Sequence, residues 1–152
     1  MAKGGSEGPV FSKFSKVDQI GIVVRDMEAT MKFYEKMFGI EPFPTVESEI
    51  DSAKLRIGLL QLGEVQIELI QVLEGESLHS KFLEERGEGL HHLGFFVQDI
   101  EKELARLEKH GVRVLERGEV LGVVKFAYLD TQKTLGAVSY THLRAHETVL
   151  DL

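Results

Sequence analysis

Two segments of the chain share one pattern of hydrophobic and polar positions. In each, a short apolar stretch (residues 20–24 and 93–97) precedes an aspartate, which is followed by apolar residues at three- and four-residue intervals. This pattern predicts a strand, a helix-capping residue and an amphipathic helix. At a shift of 73 residues, six of the 18 positions from 19 to 36 are identical, where about one identity is expected by chance. The sequence therefore predicts an internal repeat.

Further strands are predicted at about residues 54–62, 65–72 and 123–129, with a short helix at about 78–86 between the copies. Each copy then has the order β-α-β-β-β, so the predicted fold class is α+β with two βαβββ modules. The expected organisation is a disordered tail at 1–15, a single domain at 16–137 with modules at about 16–73 and 88–137, and a non-native tail at 138–152.

Composition narrows the class of protein. The chain has 152 residues, no cysteine and a formal net charge of −7. Disulfides, thiolate metal sites and cysteine nucleophiles are thereby excluded. There is no basic cluster and no long apolar run, so neither nucleic acid nor a membrane is an expected partner. The start lacks a signal-peptide pattern, and we expect a cytoplasmic protein that acts on a small molecule.

Strand alternation indicates which polar side chains share a face. Gln19 and His92 occupy equivalent positions of the repeat, each on the face opposite the all-apolar one, and each is followed two residues later by glycine. Glu68 lies on the polar side of an otherwise apolar strand, where an unpaired carboxylate would be costly. We expect these three residues to converge and to bind a divalent metal ion. The alternatives are a histidine satisfied at a strand start and a glutamate in a salt bridge.

Three other histidines receive different interpretations. His91 has the opposite strand parity to His92 and is expected to pack or to lie on the surface. His79 and His110 fall on predicted helices and are expected to be solvated.

Several motifs resemble the vicinal-oxygen-chelate (glyoxalase-like) superfamily, and in particular its methylmalonyl-CoA epimerase branch. They are VDQIGIVVRD (17–26), GEVQIELI (63–70) and GEGLHHLGF (87–95), within a resemblance that covers about residues 16–137. The resemblance implies a curved open mixed sheet around a central cavity and a homodimer. It also implies metal ligands at Gln19, Glu68, His92 and about position 140. Most epimerases have histidine at the first position and glutamate at the last, where this chain has Gln19 and Tyr140.

The resemblance implies a metal-dependent isomerase that moves the α-proton of a short acyl-CoA thioester. Amide oxygen, carboxylate and imidazole ligands favour six-coordinate Co²⁺, Mn²⁺, Ni²⁺ or Mg²⁺ over tetrahedral Zn²⁺. The proton-transfer bases are not assigned. Two alternatives remain: another enzyme of the superfamily, such as a lactoylglutathione lyase-like or ring-cleaving dioxygenase-like protein, and a metal-free protein that sequesters small molecules such as drugs.

Residues 138–148 (VSYTHLRAHET) resemble something other than a protein family. They match, codon by codon, the translation of a transposon-end adapter used to prepare sequencing libraries. We therefore expect the gene to be truncated after about Ala137 and fused to adapter sequence, and we assign no site to His142, His146 or Glu147.

Overall fold

Eight strands and four helices make up the part of the chain that the structure describes. The structure is a computed structural model that describes residues 16–50, 52–120, 122, 124–135 and 138–143, with side chains up to residue 133. The predicted tail at 1–15 and residues 144–152 lie outside it. In chain order the elements are β1 (Gln19–Val23), α1 (Met27–Phe38), β2 (Thr45–Ile50), β3 (Ala53–Leu62), β4 (Val65–Glu74), α2 (Leu78–Arg86), β5 (Gly89–Val97), α3 (Ile100–Lys109), β6 (Val114–Val120), β7 (Val124–Leu129), α4 (Gln132–Leu135) and β8 (Val138–Leu143).

The strands form one mixed sheet that reflects the sequence repeat. Its order is β2-β3-β4-β1-β5-β8-β7-β6, with β1 and β5 antiparallel at the centre. β1 runs parallel to β4, and β5 runs parallel to β8 in the same way. The two predicted βαβββ modules are therefore confirmed, and they are joined through their first strands.

The helices of the repeat cover one face of the sheet, which we call the outer face. Asp26 and Asp99 cap α1 and α3 by accepting hydrogen bonds from backbone N–H groups of the first turn. The apolar face of α1 packs against the apolar residues of β1 and β4, and α3 packs against those of β5 and β7. The buried outer-face residues are Val24, Met27, Met31 and Leu69 in the first module, and Val97, Ile100, Leu104, Ala127 and Leu129 in the second.

The opposite, inner face is concave because the sheet is curved but open. Ile50, on edge strand β2, packs against the cluster of Phe126 and Tyr128 on β7, the strand next to the opposite edge. Helix α2 adds Leu78 to this cluster, and Ser77 caps that helix. No helix within the described residues is both long and apolar enough to span a membrane.

Candidate metal centre

The polar side chains at the centre of the inner face come from β1, β4 and β5. Gln19, Glu68 and His92 are 1%, 8% and 0% exposed, respectively. Gly21 of β1 lies opposite Glu68 on one side and opposite His92 on the other, so the sheet register brings both side chains to β1. As the sequence indicated, the apolar residues of each strand face the outer helices. The alternating polar residues therefore lie on the inner face.

The three side chains meet at ligand-like distances. Gln19 Oε1 lies 3.2 Å from His92 Nε2, Gln19 Nε2 donates to Glu68 Oε2 at 3.1 Å, and His92 Nε2 lies 3.6 Å from Glu68 Oε1. Two donors bound at about 2.1 Å and at right angles around one ion would be about 3.0 Å apart. The donor atoms therefore fit a single divalent ion after small movements. Their role as ligands remains a prediction.

Gln66 is a fourth polar residue of the centre that the sequence reasoning did not single out. It is buried two positions before Glu68, and its Oε1 accepts a hydrogen bond of 2.8 Å from Gln19 Nε2. Strand parity already placed it on the inner face, so its position could have been found from the sequence. Gln66 and Glu68 together fix the amide of Gln19 with its oxygen toward His92.

Burial raises the pKa of Glu68 to about 7, and the hydrogen bond from Gln19 opposes this rise. At neutral pH the carboxyl group is therefore close to half protonated when no cation is nearby. A divalent ion at the centre would stabilise the carboxylate form and shift this balance.

His91 departs from the predicted strand parity because β5 contains a bulge. The β1–β5 register passes from Gly21 opposite His92 to Ile22 opposite Leu90, which leaves His91 as the extra residue. Its side chain is buried, and its Nδ1 lies 2.9 Å from Nδ1 of His92. Of the two outcomes expected for this residue, packing is observed and surface exposure is not.

The expectation that His79 is solvated is wrong. Its side chain is 1% exposed because α2 turns it toward the inner face, where its Nε2 lies 2.9 Å from the Tyr128 hydroxyl. Its ring lies 4.7 Å from the ring of His91, and burial lowers the pKa of His79 to about 3 and that of His91 to about 4. Both imidazoles are therefore neutral at pH 7. His110, at the end of α3, is exposed as expected.

A small cavity borders the centre on the inner face. It offers about 20 Å³ to a water-sized group, which is room for about one water molecule or ion. Glu68, His79 and Tyr128 line its polar side, and the remaining lining residues are apolar. The carboxyl group of Glu68 therefore lies between the amide of Gln19 and a space that a small ligand can enter.

The backbone of β8 completes the repeat around the centre. Tyr140 lies opposite Gly94 in the parallel β5–β8 pair, as Glu68 lies opposite Gly21 in the parallel β1–β4 pair. Position 140 is thus the structural equivalent of Glu68 in the second module. It is also the position at which the resemblance places the fourth ligand.

The fold and the sequence together decide the family. Residues 18–128 match the glyoxalase/bleomycin resistance protein/dioxygenase superfamily. The chain belongs to this superfamily. The predicted fold and resemblance are thereby confirmed, and the central residues described above lie within the superfamily match except for Tyr140.

The chain is also similar to individual relatives and to solved structures. It is 29% identical over 126 residues to uncharacterized protein YqjC of Bacillus subtilis, covering 82% of this chain and 89% of that protein. It is 31% identical over 105 residues to an ethylmalonyl-CoA/methylmalonyl-CoA epimerase of Cereibacter sphaeroides, covering 68% and 77%. A variant of Streptomyces coelicolor methylmalonyl-CoA epimerase, in complex with 2-nitronate-propionyl-CoA, is similar with a TM-score of 0.67, 27% identity and coverage of 86% and 94%.

Proposed function

We propose that the chain is built as a metal-dependent isomerase that inverts the α-carbon of a methylmalonyl-CoA-like thioester. The observation that carries this proposal is the meeting of Gln19, Glu68 and His92 at ligand-like distances on the inner face. The similarity to epimerases of short branched acyl-CoA thioesters supplies the substrate class.

The three residues would hold a divalent ion through Gln19 Oε1, the Glu68 carboxylate and His92 Nε2. When bound, the ion would act as a Lewis acid that stabilises negative charge developing on the thioester oxygen. Two oxygen donors and one imidazole favour Co²⁺, Mn²⁺, Ni²⁺ or Mg²⁺, with further coordination positions open to the substrate.

The hydrogen bonds around His92 show which ring nitrogen must lose its hydrogen when an ion binds. Because Gln19 presents its oxygen, His92 Nε2–H donates to it, and His92 Nδ1 accepts a hydrogen bond from Nδ1–H of His91. Ligation through Nε2 requires that nitrogen to be free of hydrogen. The proton then resides on His92 Nδ1, which donates to His91 in return, so His91 orients the ring in both states.

Inversion of the α-carbon requires proton transfer on both faces of the substrate. Edge strand β2 offers Glu47, but Arg56 and Lys54 of β3 form ion pairs with it and lower its pKa. A carboxylate held in this way is a weak base.

Hydrogen exchange at C2 of methylmalonyl-CoA in deuterated water tests the proposal. We expect exchange with the Co²⁺-loaded chain, little exchange after treatment with a chelator, and little exchange in Gln19→Leu. Gln61→Leu is the matched control, because Gln61 is an exposed glutamine of the same sheet. Exchange that is independent of both metal and Gln19 would contradict the proposal, as would its absence from a metal-loaded chain carrying Tyr140→Glu.

A metal-free binding protein of the drug-sequestration kind is the second candidate. It is favoured by the hydrogen bonds of Gln19 to Gln66 and Glu68, which satisfy its amide nitrogen without an ion. Metal analysis after dialysis against Co²⁺ or Mn²⁺ separates the two proposals. A stoichiometric ion that is lost in Gln19→Leu supports the isomerase, and its absence supports the binding protein.

A further inference from the structure

We propose that His79, His91 and His92 form a second metal-binding site, made of three imidazoles and suited to Zn²⁺, which shares His92 with the candidate metal centre. One nitrogen from each histidine lies within 4.8 Å of the others, and all three side chains are buried. They come from two separate elements, since His79 lies on α2 whereas His91 and His92 lie on β5. The proposal does not depend on the isomerase function.

The free nitrogen of His79 is an independent sign of a ligand. Its Nε2 is bound to the Tyr128 hydroxyl, whereas its Nδ1 is buried and has no hydrogen-bond partner among the described residues. A buried polar atom without a partner is energetically costly, because it has lost its hydrogen bonds to water. With Nε2–H donating to Tyr128, Nδ1 carries a lone pair, and a metal ion would satisfy it.

The donor chemistry differs from that of the candidate metal centre. Three imidazoles favour Zn²⁺, Ni²⁺ or Cu²⁺ over the ions that prefer oxygen. Tetrahedral Zn²⁺ with bonds of 2.0–2.1 Å places its ligand nitrogens about 3.3 Å apart. The Nδ1 atoms of His91 and His92, at 2.9 Å, are already near this spacing. The three ligand nitrogens lie within 4.8 Å of one another, so His79 has to move closer before all three bind one ion.

The two sites exclude each other because only one of the two ring nitrogens of a neutral imidazole has a lone pair available to bind a metal ion. An ion at the candidate metal centre uses His92 Nε2 and places the hydrogen on Nδ1, which closes the three-histidine site. Zn²⁺ on His92 Nδ1 leaves the hydrogen on Nε2, where it donates to Gln19 as it does in this structure. We therefore expect Zn²⁺ to inhibit binding of Mn²⁺ and to be displaced by it.

Competition with a chromophoric chelator measures both affinities on the full chain. His79→Phe keeps an aromatic ring but removes the nitrogens, so we expect at least a tenfold loss of Zn²⁺ affinity and less than a twofold change for Mn²⁺. Gln19→Leu should do the reverse, with at least a tenfold loss of Mn²⁺ affinity and less than a twofold change for Zn²⁺. His110→Phe, at an exposed histidine, is the matched control and should bind both ions as the parent chain does.

A spectroscopic measurement on the unaltered chain avoids dependence on variants that fold poorly. We expect Zn²⁺ to shift the ¹⁵N resonance of His79 Nδ1, and diamagnetic Mg²⁺ bound at the candidate metal centre to prevent this shift. An unchanged resonance, equal Zn²⁺ affinity in the parent and His79→Phe chains, or simultaneous binding of Zn²⁺ and Mn²⁺ would overturn the proposal. Failure of the isomerase function would instead appear as absence of hydrogen exchange while these binding results hold.

Discussion

The His92 imidazole lies directly against Gly21, its partner across the antiparallel β1–β5 pair. A Cβ on Gly21 would overlap the imidazole ring. The relationship is reciprocal along the same strand pair, because Gln19 lies opposite Gly94. Each module thus contributes one polar side chain and one glycine, and the glycine of β1 makes the space that the histidine of the other module fills.

Gly21→Ala should therefore displace the His92 ring. We expect the free energy of unfolding to fall by about 1–3 kcal/mol, as in other overpacked cores, and Mn²⁺ affinity to fall at least tenfold. Gly58→Ala is the control, because its Cβ would meet Phe43 at 2.9 Å, away from the metal centre. It should destabilise the fold but bind Mn²⁺ normally. Normal Mn²⁺ affinity in a folded Gly21→Ala chain would show that His92 is not a ligand.

Glu68 should make the metal-free protein less stable as the pH rises from 4.5 to 7. Its pKa is about 7 in the fold and 4.5 ordinarily, so within this window the unfolded chain has lost a proton that the folded chain keeps. The shift corresponds to about 3 kcal/mol, which is reached near pH 7 and constant above it. Urea unfolding in the presence of a chelator should show that Glu68→Gln is more stable than the parent at pH 8.

At pH 4.5 the two chains should have nearly equal stability, because Glu68 is then protonated in the fold. Glu64→Gln, at an exposed turn, is the control and should follow the parent at both pH values. Equal stability of parent and Glu68→Gln at pH 8 would mean that the carboxylate is compensated in the fold, and the pKa shift would be wrong.

The buried histidines should make the folded protein less stable as the pH falls below 6.5. The pKa of His79 is lowered from 6.5 to about 3 and that of His91 from 6.5 to about 4, in both cases by burial. As the pH falls below 6.5, the unfolded chain gains protons that the folded chain cannot accept. Each histidine then costs about 2 kcal/mol of stability by pH 5. Chemical unfolding at pH 7 and pH 5 measures this loss.

His79→Phe should reduce the loss between pH 7 and pH 5 by about 2 kcal/mol. His110→Phe, at an exposed position, should leave it unchanged. A loss of the same size in the parent and His79→Phe chains would show that His79 is protonated in the folded protein, which is incompatible with the burial described above.

The repeat explains how much of the fold could be predicted. Equivalent strands, capping aspartates and helices at a shift of 73 residues determined the two modules and their outer face. Edge strands β2 and β6 were not located, because their residues alternate only between exposed and half-buried positions and carry no strong apolar signal.

The residues of the candidate site could be predicted where side chains alternate regularly along a strand. They were missed where this alternation is interrupted. Gln19, Glu68 and His92 follow parity, whereas His91 occupies a bulge that no local pattern marks. His79 was missed for a different reason. The face that α2 presents is decided by its contact with Phe126 and Tyr128, which are about 50 residues distant in the sequence. Such a contact depends on the assembled sheet and leaves no periodic signal in the helix itself.

Position 140 offers a direct test of the metal centre, because its backbone is the counterpart of Glu68 in the second module. The phenol of tyrosine ordinarily titrates near pH 10 and is a poor ligand at neutral pH. Tyr140→Glu would supply a carboxylate from β8 and complete a set of four ligands. We expect Mn²⁺ or Co²⁺ affinity to rise at least tenfold, measured by calorimetry, and hydrogen exchange at C2 of methylmalonyl-CoA to rise with it. Ser139→Glu places the same charge on the neighbouring residue, whose strand parity is opposite, and should change neither quantity. If the Tyr140→Glu and parent chains bind the ion equally, β8 supplies no ligand, and a centre built from both modules would be wrong.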